Sequence, residues 1–441
     1  MSFLHTHSSE CLKSELDLFS LPPTQTSIES SQWIYYKPVT SLADDAPIEF
    51  VVPGQGEDYP DLTHTMLSLR VRVESLSGPG TAAGGNKVGP ENHLLHSMFN
   101  QIDVYFNQKL VSPPNNAYAY RAYVKALLNY SSPAKTSHLT SSLWDTDEPG
   151  HIDALLESGT SNQVLVRRAR YVQGGRSLDL IGHLHCDVFN QDKFLINGVE
   201  VRMRLVRSRD TFCLMEANST SKIHILDASL LTRRAKISPG VLLDHARMLS
   251  KTTAKYPLTR VKVKTFTIHA GVVGESVDNA ILGQLPKRVI VGFVDNKAFN
   301  GDRKLNPFNF KNYGINFFSL YADGMQIPSR SLQPNFSKDE PLYIKAYNTL
   351  FSGTGIHFLN EGNSISREDY ADGFTPFAFD LTPDLSANCA GHWNLVRHGS
   401  LRLEVRFEKA ITTTINCILY AEFENVMEIN SSRQVIVDFS G

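Results

Sequence analysis

The chain is poor in cysteine. It has five in 441 residues (Cys11, Cys186, Cys213, Cys389 and Cys417), an odd number with no pair at zinc-ligand spacing. That pattern excludes a disulfide framework and predicts free thiols. Cys186, Cys213 and Cys417 lie in strand-like runs and are expected to serve as small core residues. No apolar run approaches the roughly 18 residues of a membrane-spanning helix. The first twenty residues hold His5, His7, Glu10, Glu15 and Asp17 and lack the apolar stretch of a secretory signal. A strong charge of one sign is missing too. The formal net charge is −2, and no block of five or more like charges occurs, which argues against a genome-packaging tail or a sequence-specific nucleic-acid binder. The short basic runs, Arg167-Arg168-Arg170, Arg233-Arg234-Lys236 and Arg260 with Lys262 and Lys264, read as inter-subunit or solvated faces.

Catalytic constellations are also lacking. There is no Gly-x-Ser-x-Gly elbow, Walker loop or dinucleotide fingerprint, and the Gly-rich stretch from Gly78 to Gly89 has no Lys-Ser/Thr ending. Glu361, Glu368, Asp369 and Asp372 read as a solvated loop. His183-x-His185-x-Asp187 would share one strand face, but no further ligand accompanies it. His93 and His96 read as surface or packing residues. The expectation is no enzyme: no catalytic residue, no cofactor-binding residue and no required metal.

What the chain does contain is a long internal repeat. Residues 102–111 (Ile-Asp-Val-Tyr-Phe-Asn-Gln-Lys-Leu-Val) and 318–327 (Phe-Ser-Leu-Tyr-Ala-Asp-Gly-Met-Gln-Ile) are each a strand, a two-residue turn and a second strand. Arg121-Ala122-Tyr123 and Lys345-Ala346-Tyr347 follow them as matching helical turns. Val199 to Leu205 then matches Leu401 to Phe407, and Ile225 to Leu230 matches Ile418 to Phe423. The copies are offset by roughly 190–225 residues, against about 20–50 for a solenoid. Such an offset is one β-domain, and the length calls for two. Leu67 to Val73 and Arg260 to Ile268 alternate apolar and polar as half-buried strands do. Helices are expected at Tyr118 to Tyr130 and Val241 to Ser250. The long polar stretch from Ser131 to Arg176 reads as an irregular, outward-facing projection.

These signals predict an all-β chain: an N-terminal arm (1–31), a first jelly roll (32–235), a linker (236–257) and a second jelly roll (258–441). Each roll would be an eight-stranded antiparallel sandwich with short helical inserts. Ile102 is expected opposite Phe318, Val201 opposite Leu403 and Ala228 opposite Ala421. In the arm, Leu12, Leu16 and Phe19 fall at i, i+4 and i+7, a small apolar stripe that must dock on something else.

The stretch Ser14-Glu15-Leu16-Asp17-Leu18-Phe19-Ser20-Leu21-Pro22-Pro23-Thr24-Gln25-Thr26 resembles the N-terminal signature of the major capsid proteins of Polinton (Maverick) elements and adintoviruses, in the double jelly-roll lineage. Leu285 to Val294 (Leu-Pro-Lys-Arg-Val-Ile-Val-Gly-Phe-Val) and Asn306-Pro307-Phe308-Asn309-Phe310 resemble the second-domain opening of the same family. The resemblance runs from about residue 14 to the end. It implies a hexon-like homotrimer whose six jelly rolls form a pseudo-hexagonal capsomer of an icosahedral virion capsid. It also implies partnership with a separate single jelly-roll penton or minor capsid protein, and leaves contact with an internal membrane open. A duplicated sandwich in three copies gives six similar units around one axis on its own terms. The alternative is a double jelly-roll carbohydrate-active enzyme or a lectin, for which the chain offers neither a calcium loop nor a secretion signal.

Overall fold

A computed structural model of the chain describes residues 8, 9, 11–44, 46–75, 87–112, 117–156, 161–217, 221–356 and 360–438. Most of the Gly78–Gly89 stretch and the first seven arm residues lie outside them. Eight strands build the first half: β1 (Ile28–Tyr36), β2 (Ile48–Val52), β3 (Tyr59–Ser75), β4 (Phe99–Phe106), β5 (Lys109–Leu110), β6 (Ser177–His183), β7 (Val201–Arg207) and β8 (Ser221–Ile237). Eight more build the second: β9 (Ala254–Ile268), β10 (Gly274–Gln284), β11 (Arg288–Asp295), β12 (Ile315–Ala322), β13 (Met325–Leu332), β14 (Phe377–Asp380), β15 (His398–Phe407) and β16 (Ile415–Ile429).

Pairing repeats strand for strand. The first half has sheets ordered β1-β8-β3-β6 and β2-β7-β4-β5; the second has β9-β16-β11-β14 and β10-β15-β12-β13. Adding eight to every number of the first half gives the second, and all these pairs are antiparallel. This is two jelly rolls in tandem, as the repeat predicts. A short strand, Val435–Val437, adds to β16, and a two-stranded ribbon joins Gly89–Pro90 to Leu214–Met215.

The alternation in β3 works as read. Leu67, Leu69, Val71 and Val73 are buried and the residues between them are not, so one face fills the sandwich. The two hairpins share their turn chemistry. Asn107 and Gln108 have φ of 45° and 67°, Asp323 and Gly324 of 50° and 79°, the paired positive φ of a tight two-residue β-turn. Asn107 Oδ1 accepts the Glu200 N–H at 2.8 Å, and Asp323 Oδ1 accepts the Ser400 N–H at 2.9 Å. Ile102 faces Leu205 and Phe318 faces Val405. On that register Val201 corresponds to Leu401, so the expected match to Leu403 is corrected by two residues within the right strands. A two-residue shift keeps the same face, so the hydrophobic pattern cannot reveal it. Ala228 and Ala421 sit in the matching strands β8 and β16.

Several expected boundaries move. β1 begins at Ile28, inside the expected arm, and β9 begins at Ala254, inside the expected linker. Between β8 and β9 runs helix Pro239–Leu249, none of whose residues is buried. The largest correction concerns residues 131–176. Among the described part are helices Ser132–Lys135 and Gln163–Arg170 and a 3-10 turn at His138–Ser142. Leu139, Leu143, Trp144, Ile152, Leu165, Arg168 and Val172 are buried. The stretch is not irregular throughout: it alternates exposed and buried residues and is packed in part onto the second half. Gly150 N–H donates to Asp372 O at 2.8 Å, and Asp153 accepts from Asn306 N at 2.9 Å and Asn309 Nδ2 at 2.8 Å.

Helix α1 is taken as Tyr118–Asn129, carrying Arg121-Ala122-Tyr123, and α2 as Ile344–Ser352, carrying Lys345-Ala346-Tyr347; both follow the hairpin of their own half. The aromatic run at Phe308 and Phe310 docks on α1, with Tyr123 stacked on Phe308 at a centroid distance of 4.3 Å. One continuous apolar core passes through both halves. No described helix is long and apolar enough to cross a membrane.

Candidate functional sites

The arm is the first candidate. Its only regular element among the described residues is a 3-10 turn at Ser14–Leu16, so the stripe of Leu12, Leu16 and Phe19 is not displayed on a formed helix. Those side chains stand 68%, 65% and 96% exposed, and Leu18 and Leu21 are exposed as well. A helix this short is unstable without a partner surface. At the arm's root, where β1 begins, lies a groove of about 510 Å³ between the halves, walled by Phe194, Ile196, Ile237, Val241, Met248 and Tyr256.

Most of the basic side chains in these runs are paired within the chain, some at the surface, while Arg170 is exposed. Arg167 forms two 2.9 Å hydrogen bonds to Asp145. Arg168 is buried and donates to Asp147 Oδ1 at 2.7 Å, Pro90 O at 3.0 Å and Asp145 O at 2.9 Å. Arg233 binds Asp61 at 2.9 Å, Arg234 binds the carbonyls of Pro53 and Gln55, and Lys236 pairs with Glu29. Arg260 is buried against the Phe423 ring. Pairing of this kind offsets much of the positive charge in these runs, which weakens the case for a phosphate-binding face.

The carboxylate group has an equally local explanation. Asp369 and Ser366 exchange hydrogen bonds, each 3.1 Å, as a capping box on the short helix Arg367–Ala371. On the loop from Asp384 to His392, a polar chain escaped the sequence reading. His392 Nε2 lies 2.7 Å from Asp384 Oδ2, and its Nδ1 lies 3.8 Å from Cys389 Sγ. All three side chains are exposed or half-exposed, and the thiol already accepts the Gly391 N–H at 3.3 Å. This is a surface network with no preorganised oxyanion site in view.

The histidines depart most from expectation. His183, His185 and Asp187 do not act as a set. His183 ends β6, while Asp187 is buried and holds Arg121 Nη2 at 2.6 Å and the Val261 N–H at 3.2 Å. His185 instead meets His93 and His96, which flank or lie in the helical turn Leu94–Ser97. All three are buried, so of the surface or packing roles expected for His93 and His96 the surface one is corrected. Ring centroids lie 4.2 Å apart for His93–His96, 4.6 Å for His96–His185 and 5.6 Å for His93–His185. Tyr118 Oη accepts the His185 N–H at 3.1 Å and sits 3.1 Å from His96 Nδ1. Burial drives the His96 pKa down to about 3 and those of His93 and His185 well below the ordinary value, so all three are neutral imidazoles. Among the described residues this is the donor set able to hold a metal ion. The sequence carried His93 and His96 at i, i+3, but only the fold adds His185.

No protein-family model matches the chain. An uncharacterized protein of Caenorhabditis elegans, F54H12.2, is 26% identical over 433 residues, covering 95% of this chain and 99% of its own. Solved structures match across almost the whole length. In the cryo-EM structure of the Sputnik virophage, a chain aligns with a TM-score of 0.65 at 12% identity, covering 100% of this chain and 94% of its own. The Faustovirus major capsid protein aligns with a TM-score of 0.57 at 8% identity, covering 93% and 92%. The mavirus major capsid protein aligns with a TM-score of 0.52 at 9% identity, covering 100% and 96%. At these identities the likeness establishes the fold: a double jelly-roll shared with major capsid proteins of giant viruses and virophages.

Proposed function

We propose that the chain is a structural major capsid protein that trimerises into pseudo-hexagonal capsomers and builds an icosahedral shell. One observation supports the reading: a chain of two jelly rolls with matching strand pairing aligns over 93% and 100% of its length with the Faustovirus and mavirus major capsid proteins. A trimer of such a chain presents six similar sandwiches around one axis and tiles a hexagonal lattice with one gene product. The Polinton or adintovirus assignment rests on the stretches Ser14–Thr26 and Leu285–Val294. The alternative of a carbohydrate-active enzyme or lectin draws no support from these likenesses. On this reading the chain acts in the virion capsid without catalysis, beside single jelly-roll penton or minor capsid proteins.

The arm, here 1–27 since β1 starts at Ile28, works at the inner side of the shell. Its exposed Leu12, Leu16, Leu18, Phe19 and Leu21 need a surface, and the groove at its root on a neighbouring subunit offers an apolar one. Its charged residues are mainly acidic (Glu10, Glu15 and Asp17 against Lys13), which suits protein contacts better than genome phosphates. The test is mass photometry with negative-stain microscopy of the full chain and of a chain lacking residues 1–27. Full-length protein is expected as trimers that form hexagonal arrays or shells, and truncated protein as trimers that do not close. A monomeric full-length protein defeats the capsomer reading; normal shells from the truncated one defeat the arm assignment alone.

A further inference from the structure

We propose that His93, His96 and His185 bind a divalent transition-metal ion of the zinc class, as a buried structural staple inside the first jelly roll. The geometry is close to what such a site needs. One ring nitrogen of each histidine lies within 4.8 Å of one from each of the others. Tetrahedral zinc, with bonds of about 2.0–2.1 Å, sets its nitrogens roughly 3.3 Å apart and its imidazole centroids roughly 5 Å apart. The observed centroid distances of 4.2, 4.6 and 5.6 Å bracket that second figure, so small ring rotations complete the set.

A second observation points independently to a ligand. Both ring nitrogens of His93 are buried without any hydrogen-bond partner. A native core rarely leaves an imidazole wholly unpaired, and a metal ion would take up the single in-plane lone pair of the neutral ring. Tyr118 supplies an outer-shell partner. Its Oη lies 3.1 Å from His96 Nδ1, so a proton on Nδ1 directed there frees Nε2 as the ligand atom. The same oxygen accepts the backbone N–H of His185 and so fixes a second ligand-bearing residue.

The donor set chooses the ion. Three neutral nitrogens and no carboxylate suit Zn²⁺, Co²⁺, Ni²⁺ or Cu²⁺ and not Ca²⁺ or Mg²⁺, which take oxygen. Three imidazoles leave one tetrahedral position for water. The staple would tie the turn Leu94–Ser97 to the end of β6, elements far apart in sequence. It is independent of the capsid reading, since it concerns the fold of one sandwich.

The test uses untagged full-length protein, stripped with chelator and titrated with Co²⁺ and Zn²⁺. About one ion per chain is expected, with the visible absorption of tetrahedral cobalt and a higher melting temperature on loading. His93→Ala, His96→Ala and His185→Ala should each lose the cobalt spectrum, while His183→Ala keeps it. Tyr118→Phe, which preserves the ring, should weaken binding about 10- to 100-fold. Absence of cobalt uptake by the wild-type chain overturns the site, and that measurement stands even where a histidine variant fails to fold. Retention of wild-type stoichiometry and spectrum in all three histidine variants overturns it as well.

Discussion

Replacing Arg121 with Met should destabilise the protein severely, and replacing its partner too should restore much of the loss. Arg121 sits on α1, 5% exposed, with Nη2 2.6 Å from Asp187 Oδ1. That same oxygen accepts the Val261 N–H at 3.2 Å, from β9 of the second half. The carboxylate therefore serves both jelly rolls at once. Met keeps the apolar stem of the arginine and removes the cation. It leaves a carboxylate, 3% exposed, with one backbone N–H hydrogen-bonded to it and only the more distant Arg260 and Lys125 as cations nearby. Breaking a buried pair from one side costs about 3–5 kcal/mol, because the remaining charge is stranded away from water. With a urea slope of about 3 kcal/mol/M, a loss of about 4 kcal/mol lowers the unfolding midpoint by roughly 1.3 M. The double variant Arg121→Met/Asp187→Asn carries no stranded charge, and its amide oxygen still accepts the Val261 N–H. Its loss should fall toward the roughly 1 kcal/mol of a single net hydrogen bond. Urea titrations followed by tryptophan fluorescence, with buried Trp144 as a reporter of this region, give all the values needed. A loss below about 1 kcal/mol in Arg121→Met, or a double variant no more stable than that single one, would show that the pair does not bear on the domain junction as described.

Two further outcomes are expected. Lys135 is buried with its ammonium on the carbonyls of Leu127 and Asn363, and burial lowers its pKa to about 8 from 10.5. Below pH 8 the folded chain carries the full cost of that buried charge. Between pH 8 and 10.5 the unfolded chain binds more protons, so stability rises by up to about 1.4 kcal/mol per pH unit. Lys135→Met should lack that rise, and a wild-type minus variant difference that stays flat from pH 8 to 10 refutes it. Gly353 ends α2 where a Cβ would stand 2.3 Å from the Ala378 backbone on β14. Gly353→Ala should cost upward of about 3 kcal/mol and most of the soluble yield; normal expression with an unchanged melting temperature would contradict the packing.

The sequence made the framework legible wherever the signal was local. Leu67 to Val73 alternates because one face of β3 is core, and Asn107-Gln108 and Asp323-Gly324 mark turns because their backbone needs positive φ. Arg121 and Lys345 identified two helices with different neighbours but the same place in each half. What stayed hidden depends on burial and on contacts distant in sequence. Residues 131–176 are polar in composition, yet Arg168 and Asp147 are both buried and satisfy one another. Composition counts them as solvated because it cannot see a partner. The triad His93, His96 and His185 was invisible for a related reason: two members are neighbours on the chain, and the third arrives only when β6 packs on the turn Leu94–Ser97. The arm stripe was read at helical spacing, but without a partner surface no helix longer than one turn forms.

The two halves repeat in their strands and differ at their ends, and the difference has a mechanical consequence. β5 holds two residues where β13 holds eight, and the connection from Leu110 to Ser177 is longer than its counterpart from Leu332 to Phe377. The extra chain is spent on the other half. Gly150, Asp153 and Lys135 of the first roll reach Asp372, Asn306, Lys311 and Asn363 of the second. Further contacts join the halves elsewhere: Asn197 accepts from Arg433, and Tyr256 accepts the Ile196 N–H. Several such contacts around a shared core restrain the angle between the sandwiches. On the capsomer reading that angle is used three times around one axis, so any hinge between the halves is multiplied by three before the ring closes. Divergence concentrated at the junction, with the strand framework kept alike, is what a chain needs if six sandwiches from three copies are to meet as a closed hexagon.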